Sequence, residues 1–190
     1  MNEKLLANAR FYFAQSVFTC NCHFKAMDRL EKYEKRLSIF IKIISSLTIV
    51  ALILQIIGFE NNFRCILKIA SYLGLFATAG GLICERFSKS ERIHKIFQHK
   101  MYAEKYKCLR DRYMSLIEEI MSNSFPEDQL RKKRDCLQKR YSCLGENAPA
   151  TENNDYKQTQ KGLGISKDNK EEFTWSDSEI NNFLPKQLHI

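Results

Sequence analysis

Residues 37–58 read LSIFIKIISSLTIVALILQIIG, twenty-two positions in which Lys42 is the only charge. An α-helix of about 20 apolar residues crosses the hydrocarbon of a bilayer, so this stretch is long enough to span one. The next apolar run, residues 65–84, reads CILKIASYLGLFATAGGLIC. It is shorter and less apolar, and its Lys68 lies near one end, where a long amine can reach the headgroups. Two such runs adjoining in sequence predict a membrane hairpin: a first span at 37–58, a short external loop at 59–64 and a second span at 65–85. The competing reading is a pair of core helices in a soluble bundle.

Charge on either side sets the expected orientation. Lys25, Arg29, Lys32, Lys35 and Arg36 precede the first span, and Arg86, Lys89, Arg92 and Lys95 follow the second. The bias of cytoplasmic flanks toward Lys and Arg places both termini of this multi-pass chain in the cytoplasm. The loop FENNFR is too short to fold into a domain on the far side. No cleaved leader is expected, because the first apolar run begins behind a long charged segment.

Further out, the pattern becomes amphipathic. Phe13, Val17, Cys20, Phe24, Met27, Leu30 and Leu37 recur at steps of three and four, the stripe of a helix over 1–36 that runs into the first span. After the second span, Tyr102, Tyr106, Leu109, Tyr113, Leu116 and Ile120 keep the same rhythm. A hairpin brings the two stripes together, so they are expected to zip into an antiparallel cytoplasmic coiled-coil stalk. The segment SNSFP at 122–126 combines stop and start signals. A third helix follows it to about Leu144, completing a cytoplasmic helical region over 86–145.

From Gly145 the composition shifts to Gly, Asn, Pro and Thr. Residues 146–190 hold five basic against eight acidic residues, a tail of −3, which leaves +11 on the first 145 residues of a chain whose net charge is +8. The tail is expected to be partly disordered, with one short helix near 177–184 signalled by the capping box Ser176-Asp-Ser-Glu179 ahead of Ile180, Phe183, Leu184 and Pro185. Trp175 beside it suits docking on a partner or on the chain's own body. The basic body suits anionic lipid headgroups. Nucleic acid is disfavoured as a partner, since no single-strand platform or groove-reading motif accompanies the charge. The fold class is therefore an all-α membrane protein.

Chemistry-bearing constellations are few. The seven cysteines are odd in number and scattered through cytoplasm-facing segments, so they read as reduced. Cys20-Asn-Cys22-His23 lacks a second ligand pair at zinc spacing. The four histidines are dispersed, and His94 and His99 lie on different faces of one helix. Gly162-Leu-Gly164 has neither a preceding strand nor a following Gly-Lys-Ser/Thr, which makes a poor phosphate loop. No catalytic, cofactor or metal residues are assigned, and no enzyme is expected.

The informative pattern lies inside the spans. On a helical projection, Ala70, Ser71, Gly74, Ala77, Thr78, Gly81 and Glu85 share one face of the second span within about 120°, and Ser45, Thr48 and Gln55 of the first fall within roughly 80°. Between helices in lipid, small and hydroxylated residues mean close backbone approach or polar lining. Ala70 with Gly74 and Ala77 with Gly81 have the small-xxx-small spacing. The face therefore either packs the two spans together or, in a homo-oligomeric ring, lines an aqueous path with Glu85 at its cytoplasmic mouth.

In order, ARFYF at 9–13, KAMDRLEKY at 25–33, a tight hairpin, YAEKY at 102–106 and LRDR at 109–112 resemble the SLATT family, two-membrane-helix effector domains associated with nucleotide-signalling systems. The resemblance covers residues 5–145. The stretches 159–165, 172–177 and 183–185 look like the ends of some members. The resemblance implies a membrane effector of a bacterial anti-phage conflict system. Triggered by a cytoplasmic sensor or nucleotide-generating partner, it oligomerises and forms a pore or perturbs the membrane. The alternative is a non-conducting anchor that recruits a partner through the stalk or tail.

Overall fold

The computed structural model describes residues 2–56, 64–165 and 175–190, with the side chains of all but 54–56, 64–67, 84–85 and 87–88. Its elements are α1 (Glu3–Ile56), α2 (Arg64–Met121), α3 (Glu127–Asn147), α4 (Asn153–Leu163), α5 (Asp177–Asn181) and a 3-10 turn at Lys186–Leu188. Among the described residues there is no strand. The external loop expected at 59–64 lies, but for Arg64, outside them.

α1 contains neither Gly nor Pro along its 54 residues, so nothing in it interrupts the main-chain ladder. The Asn2 side chain starts it by accepting from the Leu5 amide at 3.1 Å. α2 ends at Met121 because Asn123 takes a left-handed conformation (φ 51°), a region in which Asn is enriched. Pro126 then begins α3, its carbonyl accepting from Gln129 and Leu130 at 3.0 and 3.2 Å. Glu127 and Asp128 occupy the positive end of that helix. The expected break at 122–126 is thus where the chain turns. α3 runs past the expected end near Leu144 and carries Gly145 within it.

The chain divides into two compact units. One combines Met1–Asp28 with Phe97–Ile190, and the other is Arg29–Ile96. In the first, Phe13, Val17 and Cys20 of α1 are buried together with Tyr102, Tyr106, Leu109, Tyr113, Leu116 and Ile120 of α2. Every residue of the α2 stripe is therefore in the core, which Leu130 and Leu137 of α3 and Ile180 and Leu184 of the C-terminal segment complete. Full burial of such side chains is worth roughly 1.5–3 kcal/mol each, and that gain holds these helices together. Tyr12 stacks on Tyr113 with centroids 5.8 Å apart and meets Tyr141 edge-on at 5.3 Å.

The acidic tail departs from expectation at α4. Glu152 and Asp155 form a reciprocal capping box, with the Glu152 amide donating to the Asp155 carboxylate at 3.0 Å. Gly164 closes the helix in the left-handed conformation (φ 67°), and the Ile165 amide bonds back to the Gln160 carbonyl at 3.1 Å. Of the glycine pair at 162 and 164, the second therefore terminates a helix that contains the first. Asp155 and Thr159 are buried, and Tyr156 meets Phe18 edge-on at 4.9 Å.

The second unit has an unusual surface. Ile39, Phe40, Ile43, Leu47, Tyr72, Leu73 and Phe76 are all more than half exposed, an apolar display that a chain in water would bury. α1 holds one segment long and apolar enough to cross a membrane, and Lys68–Ile83 is a shorter apolar stretch of α2.

Candidate functional site

Within the unit Arg29–Ile96, specific side chains tie α1 to α2. The Arg92 guanidinium donates to Glu34 at 2.5 Å, with both side chains mostly buried. Ile41 is buried, and a methyl added at Gly81 would meet it at 3.7 Å, ordinary contact distance. The hydroxyls of Thr48 and Thr78 lie 3.1 Å apart, and Thr48 also donates to the Ile44 carbonyl at 2.9 Å. A methyl at Gly74 would sit 2.7 Å from the Thr48 hydroxyl and 3.3 Å from its Cβ and Cγ2. Glycine is therefore what lets the main chain of α2 come this close to Thr48.

The structure thus brings together Thr48, Thr78 and Gly74, and Ser71 (4% exposed), like Thr48 (6%), is a buried polar residue. Gly81 and Ser45 are half-buried, whereas Ala70 and Ala77 are exposed. Gln55 and Glu85 lie outside the residues whose side chains are described. Phe40, Ile41 and Ile44 of α1 and Ala77, Thr78 and Gly81 of α2 line a small apolar notch of about 110 Å³.

The other unit holds a polar core that the sequence did not disclose. His23 and His99, 76 residues apart, face each other with Nδ1 atoms 3.0 Å apart, and both are buried. Burial, and next the neighbouring His99, push His23 down to about 4, with Asp155 opposing. One ring of the pair donates and the other accepts. The two residues are too far apart in sequence for any local pattern to pair them. The paired residues of the CNCH motif point apart instead. Cys20 lies near Arg110, Glu104 and Lys107 of α2, and burial lifts its thiol to about 11; burial raises Cys22 as well, which lies near Thr159 of α4.

The second missed feature is Arg10, among the largest fully buried side chains of the described residues, 1% exposed. Its guanidinium donates to the Asn181 side chain at 2.7 Å, to the Leu188 carbonyl at 3.2 Å and to the Asp177 carboxylate at 3.3 Å. An arginine amid ARFYF reads as a solvated charge, and nothing local announces its burial.

Among the described residues the chain is all-helical, and a membrane-length apolar helix, a second apolar stretch and a hydroxyl and glycine contact between them suggest a helical membrane protein. The family model described as SMODS and SLOG-associating 2TM effector domain family 4 matches residues 5–179, and the chain belongs to that family. The SLATT resemblance is thereby confirmed, and it marks a two-transmembrane effector domain of nucleotide-signalling defence systems. No curated protein and no solved structure matches the chain.

Proposed function

We propose that this chain is an inner-membrane effector whose segments 37–58 and 65–85 form a transmembrane hairpin, both termini in the cytoplasm. On a signal from a cytoplasmic sensor or nucleotide-generating partner, several copies assemble and open or perturb the membrane, halting growth or killing the cell. The observation that carries the reading is the contact of Thr48 with Thr78 and Gly74, flanked on both helices by large exposed apolar side chains. Hydroxyls held between two such helices suit an interior seam in lipid. Pairing of 34 with 92, 41 with 81 and 48 with 78 supports the hairpin, and pairing of 12 with 113 and 23 with 99 supports an antiparallel stalk.

In one copy these hydroxyls face each other, so a single hairpin is the closed, resting form. A conducting ring turns Ser71 and Thr78 of several copies toward a common axis, with Gln55 along it and Glu85 at the cytoplasmic mouth. Basic flanks hold the body against anionic headgroups at roughly 1 kcal/mol per well-placed cation. The action is physical and needs neither a catalytic group nor a cofactor.

Induced expression is expected to depolarise cells, and Gly74→Leu to abolish this while the protein still fractionates with membranes. Toxicity that survives the substitution would mean the small-residue face is not the working surface. Liposomes that leak neither ions nor dye, together with loss of function on deleting 146–190, would instead identify a non-conducting anchor.

A further inference from the structure

The seam between α1 and α2 in the unit Arg29–Ile96 closes unevenly. At Gly74 the helices come so near that a methyl would sit 2.7 Å from the Thr48 hydroxyl, whereas at Gly81 it would meet only the Ile41 Cγ1, at 3.7 Å. Seven residues separate the two glycines, a rise of about 10 Å along the helix. Over that distance the contact loosens, and the notch of about 110 Å³ lies between Phe40 and Ile44 of α1 and Ala77 and Gly81 of α2.

The lining of the notch selects hydrocarbon. An enclosed water needs about two to four polar partners. The only polar side chain here is Thr78, whose hydroxyl is already engaged with that of Thr48 at 3.1 Å. An apolar cavity of roughly 150 Å³ stays dry and takes up benzene or xenon, so a notch of this size suits a few carbons of an alkyl chain. Left empty, its lining would lose the dispersion contacts of a filled site.

The surroundings say which hydrocarbon is at hand. Phe40 lines the notch and is 61% exposed, and Ala77 is exposed as well. The opening is therefore continuous with the apolar outer surface that carries Ile39, Ile43, Leu82 and Ile83. Where the unit spans a bilayer, that surface meets acyl chains. The notch also lies within a few residues of the exposed Lys35, Arg36 and Arg86, at the level where basic flanks hold lipid headgroups. A chain entering there does so with the carbons next to its ester.

We propose that this notch is a binding site for one phospholipid acyl chain, which completes the α1–α2 seam at the end nearer the basic flanks. The proposal rests on reading residues 37–58 and 65–85 as membrane spans.

The test places the full chain in nanodiscs of phosphatidylethanolamine and phosphatidylglycerol with a phospholipid that carries a photoreactive diazirine near the ester. Adducts are located by mass spectrometry after illumination. Phe40, Ile44 and Ala77 are expected to carry at least fivefold more adduct than Ile39, Ile43, Leu82 and Ile83, which are exposed at the same depth but do not line the notch. Gly81→Leu fills the notch from within and Ala77→Leu fills it from its exposed rim. Each should cut the notch adducts at least fivefold and leave those on Ile39 and Ile83. Ala79→Leu, at an exposed position outside the lining, should behave as wild type. Adducts spread evenly over the exposed apolar residues would overturn the site, and so would notch adducts that survive either filling substitution. Absence of adducts from all of 37–44 and 73–83 would overturn the membrane reading, and the site with it, so the two failures are distinguishable.

Discussion

Thr48 and Gly74 are fitted to each other: the hydroxyl of one occupies the space that a methyl on the other would need, 2.7 Å away. Gly74→Ala therefore overpacks the seam, with an expected loss of about 1–3 kcal/mol. Thr48→Ala vacates that space, so the double variant should recover part of the loss. A double-mutant cycle on thermal unfolding in detergent reads the coupling. Additive losses would show that the two residues do not share the space. Gly80→Ala, with nothing within 4 Å, should leave stability near wild type.

Acid is expected to loosen the body through His23. Its folded value of about 4 lies below the ordinary 6.5, so the unfolded chain binds the proton more readily. The contribution is complete above pH 6.5 and is lost as pH falls toward 4. It is at most about 3 kcal/mol, since each tenfold difference in proton affinity between the folded and unfolded chain corresponds to about 1.4 kcal/mol. His23→Phe keeps a ring against Tyr106 and should flatten the fall in melting temperature between pH 7 and 4.5. An equally steep fall in the variant would assign the effect elsewhere.

The two glycines of α4 should respond in opposite directions. Gly162 is helical with open space around it, so Gly162→Ala should stabilise by about 0.5–1 kcal/mol. Gly164 sits at φ 67°, where a side chain costs about 1 kcal/mol, and Gly164→Ala should destabilise. Melting temperatures of the purified chain check both signs.

Asp155→Ala should cost about 0.5–2 kcal/mol, because the carboxylate caps the Glu152 amide from a fully buried position. Protease sensitivity across 148–165 is the direct readout. Cleavage no faster than wild type would show that packing, including Tyr156 on Phe18, holds α4 without the cap.

Much of the first unit could be read from periodicity, because burial follows the helix repeat. The stripe from Tyr102 to Ile120 is buried without exception, and the capping box at Ser176 is formed as its spacing foretold. Projection was less discriminating at the seam. It grouped Ala70 and Ala77 with Gly74 and Thr78, yet two cylinders touch along a line narrower than the arc of small residues, and both alanines are exposed, Ala77 at the edge of the notch between the helices. α4 was hidden because Glu152, Asn153, Asn154 and Asp155 have the composition of a linker. Their helix depends on a reciprocal cap and on contacts with distant residues. His23 with His99, and Arg10 with Asp177, are long-range pairs, and no local pattern encodes them.

The placement of the thiols gives the body a built-in clock. Cys108, Cys136 and Cys143 are exposed and should alkylate at once, whereas Cys20 and Cys22 are buried. Cys22 is buried near Thr159 of α4, so lifting of α4 opens a path to it. The rate of that one modification, followed by mass spectrometry on the unaltered chain, measures how often the acidic tail leaves the body.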